Sequence, residues 1–353
     1  MNTKESVTFP IAKKNSLTLS LVFSFRNEEE NIPELVRRIR LVLQGEIEKN
    51  IISGFEMIFV NDDSTDRSRE LLIELAEGKN DIKVVNMSRN FGVYPCVFAG
   101  LKYTKGDAVI YMDSDLQDPP ELIPEMLQAW KGKEEVADVV HTQRTKRLGE
   151  SKFRLLLTLA GYRLLKKISH IDLPIEVGDY KLLSRRAVNH LLRFKEKNPY
   201  TRGLVCWIGF KQTTIQYQRE ARFSGETKFP TYTSFFPNFM NSALISFSAV
   251  PLQIASMMGI LGFLASVPVL AHVVIERLSG QAVPGWSAIM VTVLFLGSTQ
   301  LLALGVLGLY IHAIYLEVKG RPNYIVESVD GFETDSSEDG MVDQGLSQQN
   351  QKT

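Results

Sequence analysis

Cysteine, net charge and, over two long stretches, charged residues of any kind are scarce in this sequence. Its 353 residues include two cysteines, Cys96 and Cys206, which lie far apart in apolar surroundings. A disulfide framework or a zinc site is therefore not expected, and a reducing compartment is favoured. The formal net charge at pH 7 is zero, so the overall charge does not favour nucleic acid or another acidic partner. The N-terminus lacks a long apolar run, so no signal peptide is expected.

Charged residues are absent from two stretches in the C-terminal half of the chain. No Asp, Glu, Lys or Arg occurs at positions 229–275 or 288–316. Residues 252–275 and 288–316 are each long enough to cross a bilayer, and these lengths disfavour the alternative of a buried core helix. The sequence therefore predicts a two-helix transmembrane hairpin over 251–318. Its flanks carry more Lys and Arg than its loop, which predicts that both ends face the cytoplasm.

Five other segments have a distinct composition. Residues 1–16 are a polar lead, and residues 150–168 have a basic amphipathic pattern that predicts a juxtamembrane helix, with an ordinary packed helix as an equal alternative. Residues 229–250 are aromatic and uncharged, which favours an interfacial segment. Residues 319–330 are interpreted as a cytoplasmic return. Residues 331–353 are rich in Ser, Gln, Asp and Glu and are predicted to be disordered.

Strand and helix patterns alternate through the N-terminal half. Apolar runs predict five strands, at 17–24, 55–61, 82–85, 109–112 and 138–142, with helical patterns between successive early strands. This alternation predicts right-handed βαβ units and a Rossmann-like, mostly parallel sheet. Polar residues follow the strands, as the ligand-binding edge of such a sheet requires.

The fourth predicted strand ends in acidic residues and then a double proline. Because proline cannot continue the strand, Asp113 and Asp115 are expected at its carboxyl end, where open α/β sheets bind ligands. Their carboxylates could bind one hard divalent cation if the backbone turns between them. A solvated acidic turn is the alternative interpretation of this short motif alone.

Seven motifs occur in order, at 24–28, 60–66, 88–92, 112–121, 178–186, 202–209 and 222–229. Together with the hairpin, they resemble the polyisoprenyl-phosphate glycosyltransferases, the GtrB and dolichyl-phosphate-mannose-synthase-like branch of the inverting GT-A glycosyltransferases of family 2. The resemblance covers about 17–326 and implies a GT-A catalytic domain over 17–228. The chain departs from the pattern with Arg26 in place of tyrosine, Asn61 in place of an acid and Asp63 in place of glycine.

The resemblance implies a UDP-sugar donor, with glucose as the expected sugar, and a polyisoprenyl phosphate acceptor such as undecaprenyl phosphate. Mannose, N-acetylhexosamine and aminoarabinose-type donors are the alternatives. The enzyme would be a multi-pass protein of the inner (plasma) membrane with a cytoplasmic catalytic domain and no nucleic-acid partner. Its product would serve cell-envelope glycans, lipopolysaccharide modification or protein glycosylation. A second copy of the chain, a flippase and a downstream glycosyltransferase are further partners considered.

The resemblance also implies roles for individual residues. The residues expected to bind the donor nucleotide are Asn27, Glu28, Asp62, Arg89 and Asp113. The residues expected to hold Mg²⁺ or Mn²⁺ are Asp113, Asp115 and Gln117, and the catalytic residues are Asp179 and Asp115. A phosphate monoester with a second pKa of about 6 is already largely an anion at neutral pH, so Asp179 is expected mainly to orient the reactants. Cations must accompany that anion, and the candidates are Arg144, Arg147, Arg202, Arg222 and Lys228.

Two other functions compete with this interpretation. A processive polysaccharide synthase carries Gln-x-x-Arg-Trp, but none of the three tryptophans here follows an arginine. A non-catalytic membrane scaffold descended from the same fold would tolerate loss of the metal ligands, yet all three are present. Both alternatives are therefore disfavoured.

Overall fold

A computed structural model describes residues 17–132, 136–144, 177–197, 201–218 and 285–332, with eight further helical positions between 252 and 268. The chain divides into two compact units. Unit one comprises Met1–Pro124, Glu220–Gly225 and Tyr324–Thr353, and unit two comprises Glu125–Arg219 and Glu226–Asn323.

Strands and helices alternate along most of the described chain. In chain order the elements are β1 (Thr18–Phe25), α1 (Ile32–Glu48), β2 (Gly54–Asn61), α2 (Ser68–Ala76), β3 (Ile82–Met87), α3 (Val93–Tyr103), β4 (Ala108–Asp113), a 3₁₀ turn (Pro120–Leu122), α4 (Ile123–Lys131), β5 (Val139–Arg144), β6 (Val177–Ser184), α5 (Arg185–Leu191), α6 (Thr201–Trp207), β7 (Gln212–Tyr217), α7 (Trp286–Val318) and β8 (Val326–Asp330).

Unit one is built on the strand order β4-β1-β2-β3-β8. The first four strands are parallel, and β8 runs antiparallel to β3 at the edge. The parallel strands are apolar on both faces, as expected for a sheet covered by helices. Gly100 lets helix α3 pack closely on β1, since a Cβ at this position would clash with the Val22 side chain. The predicted α/β class and mostly parallel sheet are confirmed, whereas β8 falls in the segment that was interpreted only as a return.

Unit two contains a smaller strand group in which β5 lies between β6 and β7. Strand β5 is antiparallel to β6 and parallel to β7. Helix α5 begins directly after β6, where the Ser184 hydroxyl accepts a hydrogen bond from the Ala187 N–H at 3.1 Å and caps the helix. The same hydroxyl donates to Asp138 at 2.8 Å, which joins the start of β5 to the end of β6. Strand β5 was predicted, but β6 and β7 were not.

Helix α7 is the long apolar element of unit two. Its 33 residues span about 50 Å at the usual rise per residue, longer than the ~30 Å hydrocarbon core of a bilayer. Residues Phe295–Val318 are long and apolar enough to cross a membrane, and none of that stretch is buried. It is the single such helix found in the described part of the chain. At the helix end, the Glu317 carboxylate accepts a hydrogen bond from the Lys197 N–H at 2.7 Å.

The rest of the membrane prediction lies mostly outside the described residues. The described positions between 252 and 268 are helical, but the first span as a whole is not described, so the two-helix hairpin stays a prediction. The same holds for the polar lead, the juxtamembrane helix, the interfacial segment and the tail beyond residue 332.

Candidate active site

Asn27 and Glu28, which follow β1, are hydrogen-bonded to the loop that follows β2. Asn27 has a left-handed φ of 53°, a conformation that asparagine tolerates better than most residues. Its N–H donates to the Ser64 hydroxyl at 3.1 Å, and its side-chain oxygen accepts from the Thr65 N–H at 2.8 Å. The N–H of the buried Glu28 donates to the Ser68 hydroxyl at 2.9 Å. These bonds hold the ends of β1 and β2 together at the carboxyl edge of the sheet.

Asp62, directly after β2, joins that strand to the loop after β3. Its side chain is buried, and its two oxygens accept hydrogen bonds from the N–H groups of Phe91 at 2.7 Å and Gly92 at 3.0 Å. Burial, and then the charge and hydrogen bond of this carboxylate, raise the pKa of the Cys96 thiol. A carboxylate has about four acceptor positions, so Asp62 can still accept an N–H from a ligand. Its contact with a uracil base stays a prediction.

Arg89 lies in the loop that follows β3. Its guanidinium lies 4.1 Å from the centroid of the Phe91 ring and donates to the Asn90 carbonyl at 3.1 Å. Stacking of this kind keeps a positive charge beside the loop that binds Asp62. The role of Arg89 at the donor diphosphate stays a prediction.

Asp63 explains why the family pattern has glycine at this position. Its φ is 60°, in the left-handed region that glycine enters without cost and that most other residues avoid. Aspartate is one of the few residues that tolerate it, and the Asp63 side chain is exposed. The departure from the family motif therefore keeps the backbone conformation that the motif requires.

The chain turns sharply after β4. Asp113 is the last residue of that strand, and the Gln117 N–H donates to Oδ1 of Asp115 at 3.1 Å, which makes an Asx turn. Leu116 within the turn has a φ of 59°. The backbone thus turns between the two aspartates, as the metal prediction requires.

The side chains of Asp113, Asp115 and Gln117 have the chemistry that a hard divalent cation needs. All three offer oxygen atoms, and all three are partly exposed to solvent. Two carboxylates and one amide oxygen suit Mg²⁺ or Mn²⁺ better than a soft metal. Across the described ranges, no group of three or more His, Cys, Asp or Glu side chains could hold a metal, but the predicted set needs only two carboxylates. Its role stays a prediction.

Asp179 and Arg202 form a bidentate ion pair in unit two. Nε of Arg202 donates to Oδ1 of Asp179 at 2.9 Å, and Nη2 donates to Oδ2 at 2.5 Å. The pair joins α6 to β6. The side chain of Arg202 is 29% exposed, and that of Asp179 is 20% exposed. Arg202 was predicted to bind the acceptor phosphate, but in this structure its guanidinium binds a carboxylate. Any contact with an acceptor would have to share it.

Lys181 is a second cation beside this pair. Its side chain is fully buried, its ammonium donates to the Gly178 carbonyl, and strand alternation puts it on the same face of β6 as Asp179. Burial lowers the pKa of Lys181 to about 8, and Asp179 offsets this effect only in part. Burial alone would raise the pKa of Asp179, but Arg202, Lys181 and Arg144 outweigh it and lower the pKa to about 2.

Arg144, the last residue of β5, is the third cation. Its Nε donates to the Tyr217 hydroxyl at 3.4 Å. A Cβ on Gly178 would lie 3.3 Å from Nη2 of Arg144, so the glycine leaves room for the guanidinium to lie against β6. Three cations thus surround one carboxylate, an arrangement that favours binding of an anion. The other residues predicted to bind the acceptor phosphate, Arg147, Arg222 and Lys228, lie outside the described residues.

Two functional candidates were missed at the level of the sequence. Lys181 was seen only as part of the 178–186 motif, although its spacing of two from Asp179 on a strand was a usable signal. Asp330, at the end of β8, accepts a hydrogen bond from Nδ2 of Asn86 on β3 at 2.8 Å. No local pattern indicated that contact, since Asp330 is far from Asn86 in sequence.

The fold and these groups define a class of protein. Acidic and amide side chains gather at the carboxyl ends of β1, β2, β3 and β4, where α/β sheets bind nucleotides. Unit two adds a half-buried carboxylate held by cations. These features define an α/β protein with a Rossmann-like, mostly parallel sheet whose carboxyl edge carries polar side chains.

Comparison with known proteins gives the family. The model described as "Glycosyl transferase family 2" matches residues 20–192. YkcC of Bacillus subtilis, named an uncharacterized glycosyltransferase, is 41% identical over 89% of this chain and 94% of its own length. The bactoprenol glucosyl transferase of Shigella phage SfX is 35% identical over 88% of this chain and 99% of its own length. A prophage bactoprenol glucosyl transferase homolog of Escherichia coli is 34% identical over 89% and 99%. The chain belongs to glycosyl transferase family 2 and is a glycosyltransferase, as its motifs predicted.

Proposed function

We propose that this enzyme transfers glucose from UDP-glucose to a polyisoprenyl phosphate, undecaprenyl phosphate in particular, at the cytoplasmic face of the plasma membrane. Relatives that match along nearly their whole length are named bactoprenol glucosyl transferases. Helix α7 supports a membrane location for the lipid-linked acceptor, since its apolar stretch is exposed over a length sufficient to span a bilayer.

The bidentate ion pair between Asp179 and Arg202 is the observation that carries the proposal. Three cations lower the pKa of this carboxyl to about 2, so it is a poor general base at neutral pH. A sugar hydroxyl acceptor would need a base, whereas a phosphate monoester is already largely ionised. The Asp179 group therefore suits an acceptor that arrives as an anion. Arg144 and Lys181 would attract that anion, while Asp179 orients it or the sugar.

The residues of unit one would hold the donor. Asp62 would accept the N–H of uracil, Asn27 and Glu28 would line the base and ribose, and Arg89 would lie beside the diphosphate. Asp113, Asp115 and Gln117 would hold Mg²⁺ or Mn²⁺ through oxygen. A bound divalent cation would offset the negative charge that develops on the diphosphate when its bond to glucose breaks.

The test is a transfer assay with the full chain in detergent or native membranes. Undecaprenyl phosphate is supplied with Mn²⁺ or Mg²⁺ and with labelled UDP-glucose, UDP-N-acetylglucosamine or GDP-mannose in turn. We expect lipid-extractable label from UDP-glucose alone. Label from another donor would overturn the choice of glucose, and transfer to soluble sugars without lipid label would overturn the acceptor.

Removing the predicted metal ligands should abolish that activity. We expect Asp113→Ala combined with Asp115→Ala to lower turnover about 1,000-fold, since charge stabilisation of the leaving group is lost. The matched control is Glu48→Ala with Glu77→Ala, which removes two exposed carboxylates and should leave turnover unchanged. Equal turnover in both double variants would contradict the proposed ligand set.

The role of Asp179 is tested by its pH dependence. Asp179→Asn should lower turnover about 30-fold at every pH from 6 to 9, because orientation rather than proton removal is lost. A loss that disappears at high pH would instead assign Asp179 as the general base.

A further inference from the structure

A row of hydrogen-bonded side chains crosses three strands of unit one and ends on β8. Asn61, Asn86 and Ser328 are direct neighbours in the register of β2, β3 and β8. Nδ2 of Asn61 donates to Oδ1 of Asn86 at 3.2 Å, and Nδ2 of Asn86 donates to the Ser328 hydroxyl at 3.1 Å and to Asp330 at 2.8 Å. Asn61 and Asn86 are buried, at 7% and 3% exposed, so these bonds fix the orientation of both amides.

The Asp330 carboxylate also contacts α2, at the end of the loop between β2 and α2. Arg69, in the first turn of α2, donates to Oδ2 of Asp330 at 3.1 Å. Asn61, at the opposite end of the loop, accepts the Ser64 N–H at 2.9 Å. Asp330 is therefore joined to both ends of the loop, through Asn86 on one side and directly to α2 on the other.

The loop between these two ends carries much of the proposed donor site. Asp62 lies within it, and its Ser64 and Thr65 hold Asn27 in its left-handed conformation. A shift of either end of the loop would move the groups that are proposed to contact the nucleotide. Such second-layer contacts decide how well binding residues are pre-organised.

We propose that Asp330 is a positioning residue for the nucleotide site, so that the strand following the membrane helix holds the donor-binding loop in its binding conformation. This inference rests on the proposed donor site in unit one. Asp330 acts through Asn86 and Arg69 and does not itself touch the nucleotide.

The experiment measures binding of UDP with Mn²⁺ to the detergent-solubilised full chain by calorimetry. Asp330→Ala should raise the dissociation constant of UDP about five-fold, the size expected when a buried hydrogen bond that orders a binding loop is lost. The KM of UDP-glucose should rise in parallel while the KM of undecaprenyl phosphate stays unchanged. Asp330→Asn keeps an oxygen for Asn86 and should recover most of the affinity.

Glu327 offers a matched control on the same strand. Strand alternation points it to the opposite face from Ser328 and Asp330, so Glu327→Ala removes the same charge without breaking the row. Its affinity for UDP should equal that of the wild type. Arg69→Met removes the ion pair between α2 and Asp330. It should weaken UDP binding about two-fold, because that ion pair is partly exposed.

Three results would overturn the inference: unchanged UDP binding in Asp330→Ala, equal losses in Asp330→Ala and Glu327→Ala, or an equal rise in the KM of both substrates. If Asp330→Ala does not fold, the affinities of Asp330→Asn and Arg69→Met decide in its place, and wild-type affinity in both would overturn it. Failure of the proposed UDP-sugar donor would look different, since the wild-type chain itself would then bind no UDP, and a wrong choice of sugar or acceptor would show only in the transfer assay and leave UDP binding intact.

Discussion

Two groups of carboxylates in this enzyme are held in opposite ways. In the loops that follow β2 and β4 of unit one, Asp62 accepts hydrogen bonds from two backbone N–H groups, and Asp115 accepts one. In unit two, Asp179 is held by a guanidinium, with a buried ammonium on the same face of the strand. In the first group, the carboxylates bind backbone N–H groups and fix the conformation of loops. In the second group, the carboxylate interacts with charged side chains.

The difference indicates what each region is built to bind. Carboxylates that hold backbone amides fix the shape of a pocket and retain acceptor positions for a neutral base. A carboxylate bound by a guanidinium makes charge-assisted hydrogen bonds, which are stronger than those between neutral groups. Recognition by shape in unit one and by charge in unit two agrees with the donor and acceptor roles that are proposed above for these regions.

Among the changes that compare these two groups of carboxylates, the largest effect is expected from breaking the ion pair of unit two. Arg202→Met should lower turnover about 100-fold, because it leaves Asp179 without its bidentate partner and allows its pKa to rise. Removal of one partner from a half-buried pair should also cost about 2 kcal/mol, or roughly 5 °C in the thermal unfolding midpoint. Arg37→Met breaks the exposed pair with Glu34 and should change neither quantity measurably. Near-normal turnover in Arg202→Met would remove the distinction between the two regions.

The next effect tests the amide-bound carboxylate of unit one. Asp62→Asn should weaken UDP binding about ten-fold, because an amide offers one oxygen and leaves the Phe91 or Gly92 N–H facing an NH₂ group. Asp63→Asn, in the same loop but exposed, is the matched control and should bind UDP like the wild type. Calorimetry with Mn²⁺ distinguishes them, and identical affinities would refute the role of Asp62.

A smaller effect is expected in the pH dependence of stability. The pKa of Lys181 is about 8 in the fold and 10.5 as the ordinary value, so the unfolded chain binds more protons between those values and stability rises with pH across this window. Lys181→Met should remove that rise, whereas Lys211→Met, which removes an exposed lysine, should keep it. Thermal unfolding of the solubilised chain at pH 7, 8, 9 and 10 measures the difference. An identical rise in Lys181→Met would assign it to other groups.

The smallest effect is expected at the left-handed turn of unit one. Asp63→Gly removes the backbone strain of a φ of 60° in the folded state, but it also raises the conformational entropy of the unfolded chain. The net change in unfolding free energy should therefore stay within about 1 kcal/mol. Turnover should stay within about two-fold, because the loop keeps its conformation. Asp63→Val is the contrasting variant and should be less stable by about 1–2 kcal/mol. Equal stability of the glycine and valine variants would mean that the turn imposes no backbone requirement.

The two regions also differ in how much of them the sequence could predict. Strands β1, β2, β3 and β4 and their polar ends follow from local apolar runs, and the aspartates at the end of β4 were placed correctly for the same reason. The sequence showed Asp63 in place of a motif glycine, but its left-handed φ of 60° was not predicted. Strands β6, β7 and β8 were missed, because polar residues interrupt their apolar runs. The buried state of Lys181 was missed because residue polarity predicts exposure.

The final strand has a consequence for the synthesis of this enzyme. Val326–Asp330 covers the edge of β3, yet ribosomes make it only after the long apolar helix. At about 5–20 residues per second, the edge of β3 waits roughly ten seconds or more for its neighbour. Through that interval the nascent sheet has an open side that can pair wrongly with other chains. The long apolar helix therefore leaves the ribosome before the strand that completes the sheet of unit one, and a prematurely terminated chain would leave the ribosome with that edge bare.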